Sequence, residues 1–181
     1  FDGKTYDYDP EYTWNYELSM RSQWLEDRLT FNANIFYTDW KDQQVDVSPS
    51  GDERDKYTGN AGESELYGVE LESNYWVAEG LEVFGNIGYV KTEYKKFTQK
   101  VGADIVDFKG KGFPGAPNLT ATLGVNYRHA SGIFASADMN YQDESNLDNE
   151  NTRATDSRTL VNTKLGYEQD AWSVYLWGSN I

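Results

Sequence analysis

Leu29, Phe31, Ala33, Ile35 and Tyr37 are apolar at every second position, with Thr30, Asn32, Asn34 and Thr38 polar among them and Phe36 the exception. Side chains of a strand alternate between its faces, so this stretch predicts a strand with one apolar and one polar face. The pattern recurs along the chain and predicts about eight strands, each near the ~9–11 residues that a tilted membrane strand needs. They fall at 13–24, 29–40, 66–76, 81–94, 119–128, 133–142, 158–168 and 172–180. In the first, Trp14, Tyr16, Leu18, Met20 and Trp24 face away from Asn15, Glu17, Ser19, Arg21 and Gln23. In the third, Val69, Leu71 and Tyr75 oppose Glu70, Glu72 and Asn74, and 119–128 alternates without a break.

The connections come in two lengths. Short turns at 25–28, 78–80, 130–132 and 169–170 alternate with long polar stretches after Trp40, after Tyr94 and from Asp143 to Asp156. All four prolines (Pro10, Pro49, Pro114, Pro117) fall outside the predicted strands, as ladder hydrogen bonding requires. The class this predicts is all-β: an antiparallel up-and-down transmembrane barrel, with tight turns at one rim and long loops at the other.

The aromatic residues divide along the same lines. Trp24, Tyr75, Tyr127, Tyr167 and Trp172 sit in the apolar register at the short-turn end, and Trp14, Tyr37, Tyr89 and Tyr141 at the long-loop end. Two belts on one face match the two lipid–water interfaces. From Leu29 to Tyr37 the strand rises about 26 Å at ~3.3 Å per residue. Tilt shortens this to roughly 20 Å, close to the height of an outer-membrane apolar band. A soluble β-sandwich could fill a core with these aromatics, but alternating loop lengths and paired belts are not expected of one.

The opposite face carries Glu17, Arg21, Glu70, Glu72, Glu82, Arg128, Asp138, Lys164 and Glu168. Buried without partners, such groups would each cost several kcal/mol, so this face is expected to line a watery or plugged lumen. Pairs such as Arg21 with Glu70 are open to it.

Composition narrows the choice. Net charge is −14, which argues against a nucleic-acid partner. The absence of cysteine excludes disulfides and thiolate metal sites. Mean hydropathy is −0.77, too polar for a helical membrane protein, yet a barrel escapes this test because only alternate residues meet lipid. The acidic run from Asp143 to Asn151 carries oxygen ligands that could hold Ca²⁺, but it lacks the spacing and central glycine of an EF-hand. A solvated loop, or one bridged by divalent ions to lipopolysaccharide, is the plainer reading. His129 is the only histidine; it lies at a short turn with Ser131 nearby and nothing in the sequence to orient the pair. No enzymatic site is expected.

Several segments carry a family resemblance. Residues 60–72, Asn60-Ala61-Gly62-Glu63-Ser64-Glu65-Leu66-Tyr67-Gly68-Val69-Glu70-Leu71-Glu72, resemble the NAG-x-S-x-x-x-GVE-x-E stretch of TonB-dependent outer-membrane receptor barrels. Trp14 to Leu18 is similar to the family's WNYEL-type strand and Phe36 to Val45 to its FYTDYKDQQ-type strand end. Gly88-Tyr89 before Tyr94 and Phe97, then Ala116-Pro117-Asn118, also fit, as does Trp172 to Asn180 against a WSLSLWGRN-type penultimate strand. There Ser179 replaces the usual basic residue.

The resemblance implies a barrel of about 22 strands with a plugged lumen. Residues 1–181 would then be a partial receptor barrel domain, roughly the strands before the last, with the plug domain, the TonB-contacting segment and the final strand absent. It implies residence in the bacterial outer membrane, among lipid and lipopolysaccharide. It also implies import of a scarce bulky ligand, usually a ferric siderophore, driven by TonB through the missing plug. The iron chelate would be cargo, and no resident cofactor or metal site is expected. Ligand contacts are expected in the long loops, at Arg54, Lys56, Tyr57, Phe108, Lys109, Lys111, Phe113, Arg153 and Arg158. Aromatic and basic side chains suit anionic chelates. The number of strands leaves a second reading open, a complete small eight-stranded barrel with a structural or adhesive role.

Overall fold

The computed structural model describes residues 7–47, 57–101 and 104–181. Its strands are β1 (Tyr12–Trp24), β2 (Leu29–Val47), β3 (Tyr57–Ala78), β4 (Leu81–Val101), β5 (Asp104–Asp107), β6 (Leu119–Arg128), β7 (Ile133–Gln142), β8 (Arg158–Gln169) and β9 (Trp172–Ser179). They form one antiparallel sheet in the order β1-β2-β3-β4-β6-β7-β8-β9, with β5 folded back on the end of β4. Each strand lies beside its predecessor, as short turns and long returning loops dictate. Among the described residues β1 and β9 end the path without pairing to each other, so the sheet is an open wall rather than a closed small barrel.

Pairing keeps the two faces separate across the whole wall. Leu18, Ile35, Val69, Tyr89 and Leu119 form one continuous apolar row, and Leu123–Met139–Val161 continues this face on the later strands. A shift of one residue in any pair would put that strand's apolar set on the wrong side. Among the described residues nothing covers the apolar face: Leu18 is 69% exposed, Leu165 58% and Leu176 79%. A patch spanning eight strands far exceeds what a soluble monomer leaves bare, so the face requires an apolar surrounding.

Phe36, the apolar exception, is explained on the polar face. It pairs with Gly68 of β3, and a Cβ at Gly68 would stand 2.6 Å from its Cζ. Phe84 covers Gly124 and Phe134 covers Gly166 in the same way. At each of these contacts between successive hairpins, a ring fills the space that glycine leaves.

The short-turn rim is stitched from hairpin to hairpin. Gly80 takes φ +72° and accepts the Arg128 amide at 2.7 Å; Gly132 takes φ +97° and accepts the Glu168 amide at 2.9 Å. Both conformations favour glycine. The first turn reaches left-handed geometry without it, at Leu25, Glu26 and Asp27, and Arg28 accepts the Trp76 amide at 2.8 Å.

β6 and β7 have the predicted bounds. β2, β3 and β4 are longer than predicted at the long-loop end, and β5 was not expected. Beyond the apolar band neither face needs to be apolar, so the alternation fades while the backbone ladder continues.

Candidate functional site

The long-loop end is built on the extensions of β2, β3 and β4. Asp42 sits at φ 53° where the β2–β3 pairing slips, which brings Gln43 opposite Gly62. Gln43 then accepts the buried Ser64 hydroxyl at 2.8 Å. Tyr94 and Phe97 follow on β4 and form, with Phe108, the small buried core, against which Val45, Val106 and Phe113 pack. Ring centroids lie 5.0 Å apart for Tyr94–Phe97, 4.9 Å for Phe97–Phe108 and 4.7 Å for Tyr94–Phe113. Trp40 meets Phe113 edge-on at 6.5 Å, and its buried Nε1 has no hydrogen-bond partner among the described residues.

Backbone bonds pin the stretch 108–113 over this core. The Phe108 amide donates to Phe97 O at 2.8 Å, the Gly110 amide to Tyr94 O at 2.8 Å, and the Tyr94 amide to Lys111 O at 2.9 Å. The third long loop then locks on top. Asn151 takes the Gly112 amide at 2.7 Å and returns its own NH₂ to Gly112 O at 2.9 Å. Tyr94 donates its hydroxyl to Asn149 at 3.2 Å.

Within that loop, Asp148 accepts the Thr152 amide at 2.9 Å, the Thr152 hydroxyl at 3.0 Å and Arg153 Nε at 3.1 Å. The Thr152 amide above all, helped by Arg153 and the Thr152 hydroxyl, holds its carboxyl below the usual range and outweighs desolvation, which acts the other way. Its oxygens already serve the loop's own donors. No group of three or more His, Cys, Asp or Glu poised for a metal occurs among the described residues.

Of the expected ligand contacts, Lys109, Arg153 and Arg158 are exposed, while Lys111, Phe113 and Tyr57 are half-buried. Lys109 and Lys111 flank the pinned turn. Phe108 offers no stacking face, being 2% exposed beneath the loop: burial against Phe97 gives its ring a packing role instead. Arg153 is occupied by Asp148, and Arg158 opens β8 with its guanidinium on Gln142 at 2.8 Å. Arg54 and Lys56 lie outside the described residues. Tyr94, Phe97, Trp40 and Asn151 were missed as site-forming residues; the aromatic cluster just before a glycine-rich loop was the available signal.

Glu17, Arg21, Glu70, Glu72, Glu82, Arg128, Asp138 and Lys164 all occupy the polar face. A groove of about 460 Å³ there is lined by Glu17, Arg21, Glu70 and Glu72 among others. Cross-strand hydrogen bonds satisfy many of these groups: Asn32 to Glu72 at 3.2 Å, Asn34 to Glu70 at 3.4 Å, Asn126 to Glu82 at 3.0 Å and Asn162 to Asp138 at 2.8 Å. Arg128 pairs with Glu168 at 2.9 Å, and Lys164 lies 4.0 Å from the Tyr175 ring centre. Arg21 does not pair with Glu70, because its row runs through Asn32 to Glu72.

The belt aromatics Trp14, Trp24, Tyr37, Tyr75, Tyr89, Tyr127, Tyr141, Tyr167 and Trp172 share the apolar face. His129 is oriented after all, since its Nδ1 meets Ser131 Oγ at 2.8 Å and accepts the Ser131 amide at 3.2 Å. Both contacts close the turn.

The family model described as TonB dependent receptor-like, beta-barrel matches residues 1–181. The probable TonB-dependent siderophore receptor PiuA of Acinetobacter baumannii is 25% identical over 149 residues, covering 80% of this chain and 19% of the relative. The chain therefore spans about a fifth of that curated relative's length. The ferric yersiniabactin uptake receptor FyuA from Yersinia pestis superposes with a TM-score of 0.76 at 23% identity, over 94% of this chain and 25% of that one. The copper transporter OprC does so with a TM-score of 0.72 at 14% identity, over 95% and 26%. At these identities the solved structures show the fold, and the cargoes they are named for differ.

Proposed function

The chain belongs to the TonB-dependent receptor-like β-barrel family, and from that premise we propose that it forms a wall segment of a bacterial outer-membrane receptor. The family is one of receptors and transporters rather than known enzymes. The observation that carries the reading is the bare apolar face, continuous over eight strands and bounded by aromatics at both ends. Lipid is the surrounding that such a face fits. The polar face then turns to the lumen, the interlocked loops to the outside and the short turns to the periplasm.

The whole receptor, in this reading, captures an iron chelate of siderophore type and imports it with energy relayed by TonB to a plug inside the barrel. The relative's name supports this cargo class, and so do the exposed Lys109 and the half-buried Lys111 and Phe113 beside the loop junction. The chelate is cargo rather than a resident cofactor. Growth of an iron-starved strain carrying the full-length gene, supplied with single ferric siderophores, tests the proposal. At least one chelate should support growth only when TonB is intact. A Lys109→Glu/Lys111→Glu receptor should bind it about tenfold more weakly, the loss expected when charge-assisted contacts are reversed. Growth unaffected by deletion of the gene on every chelate tried would reject the iron-chelate reading.

A further inference from the structure

The contacts between successive hairpins repeat one arrangement on the polar face. The hairpins are β1–β2, β3–β4, β6–β7 and β8–β9, each closed by a short turn. At each of the three junctions between them, the second strand of one hairpin sets a phenylalanine directly opposite a glycine of the next. Phe36 faces Gly68, Phe84 faces Gly124 and Phe134 faces Gly166. In each case a Cβ on the glycine would collide with the ring. All three rings are half-buried, because the neighbouring strand takes them. A strand glycine marks such a close approach, and the ring covers the backbone that it leaves bare.

β9 is the second strand of the fourth hairpin and carries a ring without a junction. The row through the third junction runs Arg128, Phe134, Gly166 and Tyr175. The space over Gly166 is already taken: a Cβ there would stand 2.5 Å from Phe134 Cζ and 2.7 Å from Tyr175 Cβ. The Lys164 ammonium sits near both rings, 5.3 Å from the centre of Phe134 and 4.0 Å from that of Tyr175. Among the described residues no strand lies beyond β9, and Tyr175 is left 48% exposed. The outer edge of β9 thus offers unpaired ladder groups and an uncovered ring together.

The two unpaired edges of the wall do not complete each other in this way. β1 has no glycine, so neither this β1 nor that of a second copy supplies the receiving position. A second β9 does not supply it either, since its Gly178 shares the row of Val83, Val125, Ala137 and Thr163 on the apolar face. The curated relative, of which this chain covers 19%, has length for further strands. We infer that the outer edge of β9 receives an antiparallel strand of the same receptor whose polar face sets a glycine opposite Tyr175. The ring selects the register of that strand, because any other residue brought to the position meets it with a Cβ. The inference rests on the reading of the chain as part of a larger outer-membrane wall.

A structure of the full-length receptor identifies the strand on the β9 edge, and the residue paired with Tyr175 should be glycine. Alanine at that glycine should raise the unfolding equilibrium constant in urea about tenfold, the effect of overpacking. Tyr175→Ala in the same chain should recover most of that loss, so the two changes are far from additive. Trp177→Ala, two residues further along the same face, should recover none of it. Tyr175→Phe should match wild type, because the ring rather than its hydroxyl fills the space. Any other residue opposite Tyr175, a β1 strand on the β9 edge, or additive effects of the two alanines overturns the inference. Heat-modifiable mobility on gels separates the two levels: a wild type that lacks it refutes the barrel reading itself, and this inference falls with it.

Discussion

The glycines under Phe36 and Phe84 differ in what surrounds them, and this separates two kinds of damage. A Cβ on Gly68 would meet the Tyr89 carbonyl oxygen at 2.3 Å as well as the Phe36 ring; on Gly124 the nearest atoms all belong to Phe84. Gly68→Ala and Gly124→Ala should each destabilise the full-length barrel by about 1–3 kcal/mol, as overpacking does. Phe84→Ala should recover most of the Gly124→Ala loss in urea unfolding, because the ring is the obstacle. Phe36→Ala should not recover Gly68→Ala, since a backbone carbonyl cannot withdraw. Equal rescue at both sites would reject this account. Asp148 gives a pH test. Its carboxyl is held low by the Thr152 amide, so its stabilising effect is present above the unfolded-state value and is lost as pH falls through the folded one. Amide exchange at Thr152 should accelerate on acidification below the ordinary carboxylate range. Asp148→Asn has nothing to titrate there, and persistence of that step in the variant would assign it elsewhere. The alternation revealed which face each of these residues occupies; it could not reveal that Phe36 needs Gly68, because that pairing spans two strands.

The hairpins behave differently at their two ends. At the short-turn end every connection is local, and β6, β7 and the start of β2 and β4 were legible from alternation and turn residues alone. At the long-loop end the extensions of β2 to β4 are held by ladder bonds and by contacts with loops remote in sequence. The Asn151–Gly112 clasp is the clearest case, joining positions 39 residues apart. Asn151→Ala removes three side-chain hydrogen bonds, two to Gly112 and one to Asp148 O, worth about 0.5–1.5 kcal/mol each. Exchange at Gly112 and Gly110 should rise about tenfold or more, while the β6–β7 ladder keeps its protection. Uniform loss of protection over both regions would mean that the clasp supports the whole wall rather than the loops. Phe108 teaches the same lesson: an aromatic in a polar loop looks like a ligand contact until its burial against Phe97 is seen.

Taken together, the eight strands of the pairing path make a wall whose two outer edges are unpaired among the described residues. Unpaired strand edges invite association, and β1 and β9 expose theirs at opposite ends of the sheet. Residues 1–181 produced alone should therefore form oligomers without the heat-modifiable mobility of a closed barrel. A heat-modifiable monomer would restore the small-barrel alternative. The amino-acid sequence was sufficient for the eight strands of the pairing path, though not for their extensions or β5, for the set of residues on the apolar face and for the end that carries the long loops. Each follows from local periodicity, which a chain states residue by residue. The tertiary structure decided what periodicity cannot express: that among the described residues the end strands β1 and β9 do not pair with each other, and that two long loops interlock over a buried aromatic core. These depend on which distant residues become neighbours, and that is set only when strands choose their partners and register.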